Sequence, residues 1–579
     1  MGVKPMDRKR LVRVALGEEP ADLLLANARV VNVFTAEVER AAVAVAEGRV
    51  AGIGRYTRGR EVINLGGRYL VPGFIDGHIH LESTLLVPQE FARAVVPRGT
   101  LGVVADPHEV ANVGGLRAVR FLIDQTRDLP MDFFFQMPSC VPASPLESAG
   151  AAVGPAEVEQ GLTWPEVLGL GELMNFVGVL AGADDPHAKL DAARGRVIDG
   201  HAPGLTGRRL NAYAAAGPRS DHETTRRAEG RDKLRRGMFL FIREGSSAKN
   251  LAELLPLVTD RTYHRCGFVT DDRSCHDIMG EGHLDHVVNL AVRRGLNPIR
   301  AIQLASFTTA NYFRLQDLGA IGPGYWANFF VTADLAEIRA DEVFYRGRLV
   351  ARGGRPLFEA PFRPEEWALH TVNLPDLRPE DLQLEFSGER FPAVEIVPDQ
   401  IVTRLVEVEP PRQNGRITAD PNRDLAKLAV IERHHRTGRL GIGLVKGLGL
   451  KRGAMASTIG HDAHNLVVAG ISDGDILLAV ETVRRLQGGL VVVADGQVLG
   501  EVPLPVLGLL SPEPLPVVRK RLEEAEAKAR ELGCPHRAPF TTLSFLGLSV
   551  IPEVRVTDHG VVDARTLRVL VPGRTVGGR

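Results

Sequence analysis

The order of hydrophobic and polar positions changes character near residue 70. Residues 22–70 alternate short apolar runs with turn residues, which predicts short antiparallel strands. From Leu70, short apolar runs alternate with longer stretches of helical periodicity, which is typical of repeated βα units. Seven such runs, with a weak eighth before Asp221, span about 200 residues and predict a (β/α)8 barrel of the TIM type. The seven are Leu70–Ile75, Thr100–Ala105, Met131–Met137, Leu168–Leu170, Arg196–Ile198, Met238–Ile242 and Gly267–Thr270.

The segments on either side of the predicted barrel complete the architecture. After the barrel, the runs 342–345 and 348–351 form a plausible hairpin that could join the N-terminal strands in a small composite β-sandwich domain. From about Pro361, a Pro-rich, charged linker leads into a separate α+β domain. The predicted division is 1–70 and 317–360 for the composite domain, 71–316 for the catalytic barrel, and 361–579 for the C-terminal domain.

Composition narrows the function classes. The 579 residues carry 70 Lys plus Arg against 71 Asp plus Glu, a net charge of −1, which argues against nucleic-acid binding as the main task. Four cysteines without a C-x-x-C pattern indicate a reducing, cytoplasmic location. No run approaches the ~18 apolar residues of a membrane span. A cytoplasmic protein with a small-molecule partner is expected, and its flanking domains make a homo-oligomer plausible.

Polar, chemically active side chains follow the predicted strands at the point where each strand ends. In a barrel these ends enclose the active site. His78 and His80 lie two apart, so both side chains project from the same face of a strand and can grip one metal ion. The remaining strand-end candidates are Asp106, His108, Glu109, Glu172, His201, His222, Asp271 and Asp272.

Imidazole and carboxylate together predict a metal site. Two divalent ions bridged by Glu172 fit this donor set, and Zn, Mn or Fe(II) suits it better than Mg or Ca. Each of these motifs, taken alone, also has a structural explanation: a lone H-x-H pair is often structural, and Asp106 could simply cap the helix that follows it. The joint pattern favours the metal site, because every structural explanation would have to hold independently at a position where a barrel places ligands.

Several motifs resemble the adenine deaminase family of the amidohydrolase superfamily. The resemblance runs in order from about residue 20 to 570, at compatible spacings, and Glu172 stands where many superfamily members carry a carboxylated lysine. The motifs are VPGFIDGHIHLES (71–83), ADPHEVAN (105–112), MPSCVPA (137–143), GLGELMNF (169–176), DGHAPGL (199–205), SDHE (220–223), IREGSSAKN (242–250), VTDDR (269–273) and HDAHN (461–465).

The resemblance implies hydrolytic deamination of adenine to hypoxanthine and ammonia at a binuclear Mn or Fe(II) centre, with Zn as the other option. By this resemblance a metal-bound hydroxide attacks C6 of the purine. His78, His80 and Asp271 would bind the first metal, His201 and His222 the second, and Glu172 would bridge both.

The predicted catalytic set is Asp271, Glu109, Asp106 and His222. Asp271 is expected to move the proton from water to the purine or the amine, with Glu109 as the alternative shuttle. Asp106 and Glu109 resemble an extra acidic pair of the family, whose roles stay open. Asp272 is predicted to contact N7 of the purine. Arg243 could orient the base or close the pocket, or could equally form a structural Arg–Glu pair.

Two competing functions stay open at this point. Another amidohydrolase could act on a cyclic amide or an amino-sugar amide, although Glu172 in place of lysine counts against the first and the Asp106–Glu109 turn against the second. A catalytically inactive metal-binding or structural protein is the other class; a missing ligand would support it, and none of the expected ligands is missing. His461 and His464 could either reach the pocket from the C-terminal domain or support a domain interface, and the sequence slightly favours the interface.

Overall fold

The computed structural model describes residues 6–398, 400–413 and 415–576. Its central unit is the predicted (β/α)8 barrel. The first five strands pair in chain order and the last three pair with one another. The ring closes where Asp271 N donates to His78 O at 3.0 Å and where Arg219 N donates to Ile198 O at 3.0 Å. The eight barrel strands are Phe74–Ile79, Thr100–Ala105, Asp132–Met137, Val167–Leu173, Val197–Gly200, Ser220–Asp221, Phe239–Arg243 and Cys266–Val269.

The first predicted barrel strand is wrong in its bounds. The run Leu70–Ile75 is divided at Gly73, where the chain leaves one sheet and enters the barrel. Gly73 N donates to Asn328 O in the composite sheet, whereas the next residue, Phe74, donates to Gly99 O at the start of the barrel. A Cβ at Gly73 would lie 2.7 Å from Leu101 Cδ1, so the crossing leaves no room for a side chain.

Helices surround the barrel strands. The helix Pro88–Val95 begins with proline at its first position, which suits the fixed φ of that residue, and it buries Phe91, Ala92 and Val95. The other helices of this part of the chain are His108–Gln125, Pro155–Gly161, Phe176–Ala181, Asp184–Ala192, Gly207–Ala216, Arg227–Arg235, Leu251–Leu254, Cys275–Gly280, Leu284–Arg293, Pro298–Leu304 and Phe307–Tyr312.

A nine-stranded sheet combines strands from before and after the barrel. Tyr69–Pro72 pairs antiparallel with Phe329–Thr332, so the two halves meet directly. Strands at opposite ends of the sheet share one apolar cluster, which makes the sheet fold over like a sandwich. The domain boundaries themselves stay a prediction. The strands are Ala21–Asn32, Glu37–Ala46, Arg49–Gly54, Gly59–Asn64, Tyr69–Pro72, Phe329–Thr332, Glu342–Tyr345, Arg348–Arg352 and Arg355–Pro356.

The prediction that the N-terminal strands are all antiparallel is wrong. Gly59–Asn64 and Tyr69–Pro72 both run parallel to Ala21–Asn32 and occupy successive parts of the same edge. The other edge of Ala21–Asn32 is taken by the antiparallel strand Glu37–Ala46. After Arg49–Gly54 the chain must therefore cross to the opposite edge of Ala21–Asn32, and it runs along that edge in the same direction as Ala21–Asn32.

The C-terminal part is α+β, with a second nine-stranded sheet covered by two long helices, Asp473–Leu486 and Leu515–Glu531. None of the helices that the structure describes is both long and apolar enough to cross a membrane. The sheet strands are Phe391–Ile396, Thr403–Val408, Leu425–Ile431, Arg439–Lys446, Ala454–Ser457, Leu466–Gly470, Gly489–Ala494, Gln497–Pro503 and Arg574–Thr575. A three-stranded sheet adds Val554–Thr557, Gly560–Asp563 and Arg568–Pro572, a two-stranded ribbon adds Arg412–Gln413 and Arg416–Ile417, and a short helix spans Pro539–Ser544. At the start of the chain, the short helix Arg8–Ala15 packs instead on Glu37–Ala46 and Arg49–Gly54 of the composite sheet.

Candidate active site

Glu172 lies at the centre of the strand-end cluster. Its Oε2 is 2.5 Å from His201 Nδ1 and 3.2 Å from His222 Nε2, and its Oε1 is 3.3 Å from His80 Nε2 and 3.4 Å from His108 Nδ1. The strand Val167–Leu173 holds this carboxylate, and Asp106 Oδ2 accepts a 2.8 Å hydrogen bond from the Glu172 backbone. One carboxylate thus reaches the imidazoles of four separate strand ends, as a bridging ligand would.

The first strand presents His78 and His80 to the same space. His80 Nδ1 donates to Asp106 O at 2.9 Å, which fixes the tautomer and leaves Nε2 free as a ligand atom. His80 Nε2 is 3.3 Å from Asp271 Oδ1. His78 stacks on His222 with ring centroids 4.0 Å apart, and its buried Nε2 has no hydrogen-bond partner among the described residues. A buried imidazole nitrogen that has no protein partner and faces a carboxylate, here Asp271 Oδ1 at 3.8 Å, is suited to bind a metal ion.

The donor atoms fit metal binding. Three groups, each with its ligand atoms within 4.8 Å of one another, share members: His78–His80–Glu172, Glu172–His201–His222 and His78–His222–Asp271. Buried imidazole nitrogens and carboxylate oxygens form the donor set that Zn, Mn or Fe(II) prefers. The structure therefore brings all six predicted ligands together, and their assignment as ligands stays a prediction.

Asp271 is held by an arginine. It follows the last barrel strand with φ of 56°, a left-handed conformation that Asp tolerates better than most residues. Arg243 Nη1 lies 2.5 Å from Asp271 Oδ2 and also pairs with Glu223. Burial favours the neutral acid, but the Arg243 charge outweighs it and keeps the pKa of Asp271 well below its usual range. Arg243 therefore forms a structural Arg–Glu pair through Glu223, and its second partner is a predicted catalytic acid.

Glu109 contacts two histidines of the C-terminal domain. His461 Nδ1 is 2.9 Å from Glu109 Oε1, and His464 Nε2 contacts Glu109 Oε2. Burial opposes ionisation, yet the imidazoles of His461, His464 and His108 hold the pKa of Glu109 well below its usual range. The two histidines thus reach the pocket and also link the C-terminal domain to the barrel. The two roles that the sequence left as alternatives, a pocket residue and a domain interface, are therefore compatible.

A cavity of about 720 Å³ opens between the barrel and the C-terminal domain. Glu109, Asp272 and His461 line its wall, which brings it against the cluster of predicted ligands. Asp272 accepts a hydrogen bond from Ser83 Oγ, and burial together with the charge of Asp271 raises the pKa of Asp272. A carboxyl with a raised pKa at a cavity wall can donate a proton or a hydrogen bond.

Sequence reasoning missed three supporting charges. Glu223 pairs with Arg243; its own strand-end position beside His222 was the available signal. Buried Lys233 pairs with Asp221 at 2.8 Å, and buried Glu82 accepts from Val110 N at 3.0 Å, in the turn that carries Glu109. Lys233 lies in no pattern that distinguishes it from a surface charge, whereas Glu82 falls within the motif at 71–83, two residues after His80.

Comparison with known proteins identifies the family. A model of the amidohydrolase family matches residues 69–350, and a model described as the adenine deaminase C-terminal domain matches residues 400–568. An adenine deaminase of Dehalococcoides mccartyi strain CBDB1 is 50% identical over 98% of this chain and 99% of its own. The chain belongs to the adenine deaminase family. The resemblance inferred from the motifs is therefore confirmed.

Other members of the adenine deaminase family match at similar length. One from Carboxydothermus hydrogenoformans, named adenine deaminase 2, is 48% identical over 98% of this chain and 99% of its own. One from Kosmotoga olearia is 44% identical over 96% of both chains. The match covers the barrel and the C-terminal domain alike, so both parts of the cavity wall belong to the shared family architecture.

Proposed function

We propose that the chain hydrolyses adenine to hypoxanthine and ammonia. The observation that carries this is the cluster of imidazoles and carboxylates around Glu172, which adjoins a cavity whose wall holds further acids. Membership of the adenine deaminase family supports the same reaction. In the balanced reaction, water adds to C6 of the purine, the bond from C6 to the exocyclic nitrogen breaks, and that nitrogen leaves as ammonia.

Two divalent metal ions are proposed, with Mn or Fe(II) preferred and Zn as the alternative. His78, His80 and Asp271 would hold one, His201 and His222 the other, and Glu172 would contact both. When bound there, such ions lower the pKa of a coordinated water toward neutrality and polarise the bond under attack. His222, also in the predicted catalytic set, acts in this proposal as a ligand, because its Nε2 already faces Glu172.

Asp271 is proposed as the group that takes a proton from the attacking water and passes it to the purine or the departing amine. Its low pKa makes the carboxylate available at neutral pH, and Arg243 fixes its orientation. Because Arg243 is buried between Asp271 and Glu223, we propose that it positions Asp271 rather than contacting the base. Glu109 remains the alternative shuttle, since it lies at the cavity wall.

Two further acids have separate proposed tasks. Asp106 orients Glu172 by accepting from its backbone N–H. Asp272, whose pKa is raised, is proposed to donate a hydrogen bond to N7 of the purine from the cavity wall. Both tasks follow from what each carboxyl contacts: Asp106 faces the ligand cluster, and Asp272 faces the cavity.

The test is a spectrophotometric assay on protein reconstituted with Mn(II), Fe(II) or Zn(II). We expect turnover of adenine, measured against adenosine, cytosine and hydantoin as controls for the other amidohydrolase classes. Turnover of a non-purine alone would contradict the proposal, and an enzyme inert to every purine with all three metals would favour a binding protein.

The setting of the enzyme is also proposed. A free purine base is expected as the small-molecule partner, without nucleic acid or membrane, and the protein is expected to act as a homo-oligomer in the cytoplasm. Four free, buried cysteines support a reducing compartment. Size-exclusion chromatography with light scattering tests the oligomer.

A further inference from the structure

One histidine of the C-terminal domain faces the substrate cavity with an unused nitrogen. His461 lines the cavity, and its Nδ1 is committed to Glu109 Oε1 at 2.9 Å. Its Nε2 makes no hydrogen bond to any residue that the structure describes. The ring lies flat against Phe545, with centroids 4.9 Å apart and planes 17° apart. Glu109 and Phe545 together fix where Nε2 points.

The neighbouring His464 contacts the other carboxylate oxygen of Glu109, and its tautomer shows which group donates. The backbone N–H of Gly460 donates to His464 Nδ1 at 3.3 Å, so this nitrogen is an acceptor and the proton of the neutral ring lies on Nε2. His464 Nε2–H then donates to Glu109 Oε2. Burial lowers the pKa of His464 to about 4, in agreement with a neutral ring. Glu109 keeps its charge: its Oε2 receives the proton of His464, and its Oε1 faces His461 Nδ1 and, at 3.4 Å, His108 Nε2.

That arrangement favours a protonated His461. Burial alone would lower its pKa, but the Glu109 carboxylate outweighs burial and raises the pKa of His461 to about 9. With Nδ1–H directed to Glu109, a cationic ring carries a second N–H on Nε2. The ring nitrogens of a purine that carry no hydrogen are acceptors for such a donor; in hypoxanthine these are N3 and one of N7 and N9, because N1 carries a hydrogen. Charge-assisted hydrogen bonds are the stronger kind.

We propose that His461 is a substrate-binding residue whose Nε2–H donates to a ring nitrogen of the purine other than N1, with Glu109 and His464 as positioning residues. The proposal rests on the proposed function, since it takes a purine as the ligand. It gives the C-terminal domain a direct share in base recognition: the barrel would supply the groups around C6, and the appended domain would hold another edge of the same ring.

Two substitutions separate the two nitrogens of His461. The amide nitrogen of Asn occupies the place of Nδ1 and that of Gln the place of Nε2, so His461→Asn can keep the bond to Glu109 while it loses the donor to the base. His461→Gln does the reverse. His435→Gln, at an exposed histidine of the same domain, is the matched control. None of these residues is a proposed metal ligand, so metal content should stay at the wild-type value in all three.

Calorimetric binding of hypoxanthine, the product that is not turned over, is the readout. His461→Asn should weaken binding by roughly 10- to 100-fold, as expected for a lost hydrogen bond to a charged group. His461→Gln should weaken it less, and His435→Gln should leave it unchanged. The 3-deaza, 7-deaza and 9-deaza analogues each lack one ring nitrogen, and for one of them the penalty of His461→Asn should fall below ~3-fold.

An equal penalty of His461→Asn on hypoxanthine and on all three analogues would overturn the proposal, as would unchanged binding of hypoxanthine. These outcomes differ from failure of the proposed function. A metal-loaded wild-type protein that neither binds hypoxanthine nor deaminates adenine would refute the purine reaction itself, whereas wild-type binding with a uniform His461 penalty would refute only the role of this residue.

Discussion

Lys233 offers a sharp test of how buried charge positions the second half of the ligand cluster. Its ammonium lies 2.8 Å from Asp221 Oδ2 and 2.7 Å from Glu229 Oε1, and it donates to Ala202 O at 2.8 Å. Asp221 precedes His222 directly, and its Oδ1 accepts from the Ala202 backbone at 2.8 Å, next to His201. One buried ion pair therefore braces the strand ends that carry both histidines.

The substitution Lys233→Met removes the cation and keeps most of the side-chain volume. Loss of one partner of a buried pair leaves an uncompensated charge and costs about 3–5 kcal/mol. Asp221 is fully buried, so the upper part of this range is expected. Such a loss is a large fraction of the ~5–15 kcal/mol that stabilises a typical protein.

The penalty should depend on pH with a definite sign. Burial raises the pKa of Asp221, but Lys233 and His222 outweigh it, so the pKa lies below its ordinary value and the ionised form stabilises the fold. Without Lys233, burial dominates and the folded-state pKa rises above the unfolded one. Ionised Asp221 then destabilises the protein, and this cost shrinks as pH falls through the raised pKa. The loss should be larger near pH ~7.5 than near pH ~5.

Urea unfolding at the two pH values measures these differences, with the double variant Lys233→Met/Asp221→Asn as the internal control. If the cost is an unpaired buried charge, the double variant should be more stable than Lys233→Met at neutral pH. Additive losses in the double variant, or a penalty for Lys233→Met that does not change with pH, would refute the reasoning.

Three further predictions concern the reaction. Glu172→Gln should lose bound metal and turnover together, measured by elemental analysis and an adenine assay; full activity would remove the bridging assignment. Arg243→Met should raise the pKa of Asp271 and move the acidic limb of the pH–rate profile to higher pH, while Arg243→Lys moves it less; an unmoved limb would contradict the role of the arginine charge. Asp272→Ala should weaken adenine binding by roughly 10-fold or more and Asp272→Asn, which keeps a donor, by less; equal values would argue against a hydrogen bond to N7.

Much of the site was predictable because a parallel barrel gathers all its strand ends at one face. His80 and His201 are 121 positions apart in sequence, yet each follows a barrel strand and so must face the same space. The polar residue after each apolar run can be recognised from the sequence alone, and the barrel topology then places these residues at one face. Fold class and the grouping of the six ligand candidates follow from it.

The remaining features depend on contacts that no local pattern encodes. Glu109 and His464 are 355 positions apart, and their contact depends on how the C-terminal domain docks on the barrel. Lys233 looks like one of many charges on a polar helix until its strand neighbours are known. The break at Gly73 was hidden because apolar residues continue on both sides, and only the change of hydrogen-bond partner marks the boundary.

The composite sheet sets the order in which this chain can finish folding. Tyr69–Pro72 needs Phe329–Thr332 as its antiparallel neighbour, and about 260 residues of barrel lie between them. At ~5–20 residues per second, a ribosome needs roughly 13–50 s to make that length. During this time Tyr69–Pro72 lacks its antiparallel partner and leaves an unpaired edge on the N-terminal strands. The barrel must therefore form while the pairing of those strands is kept. When Phe329–Thr332 pairs with Tyr69–Pro72 and completes the sheet, late in synthesis, it brings the two ends of the barrel segment together.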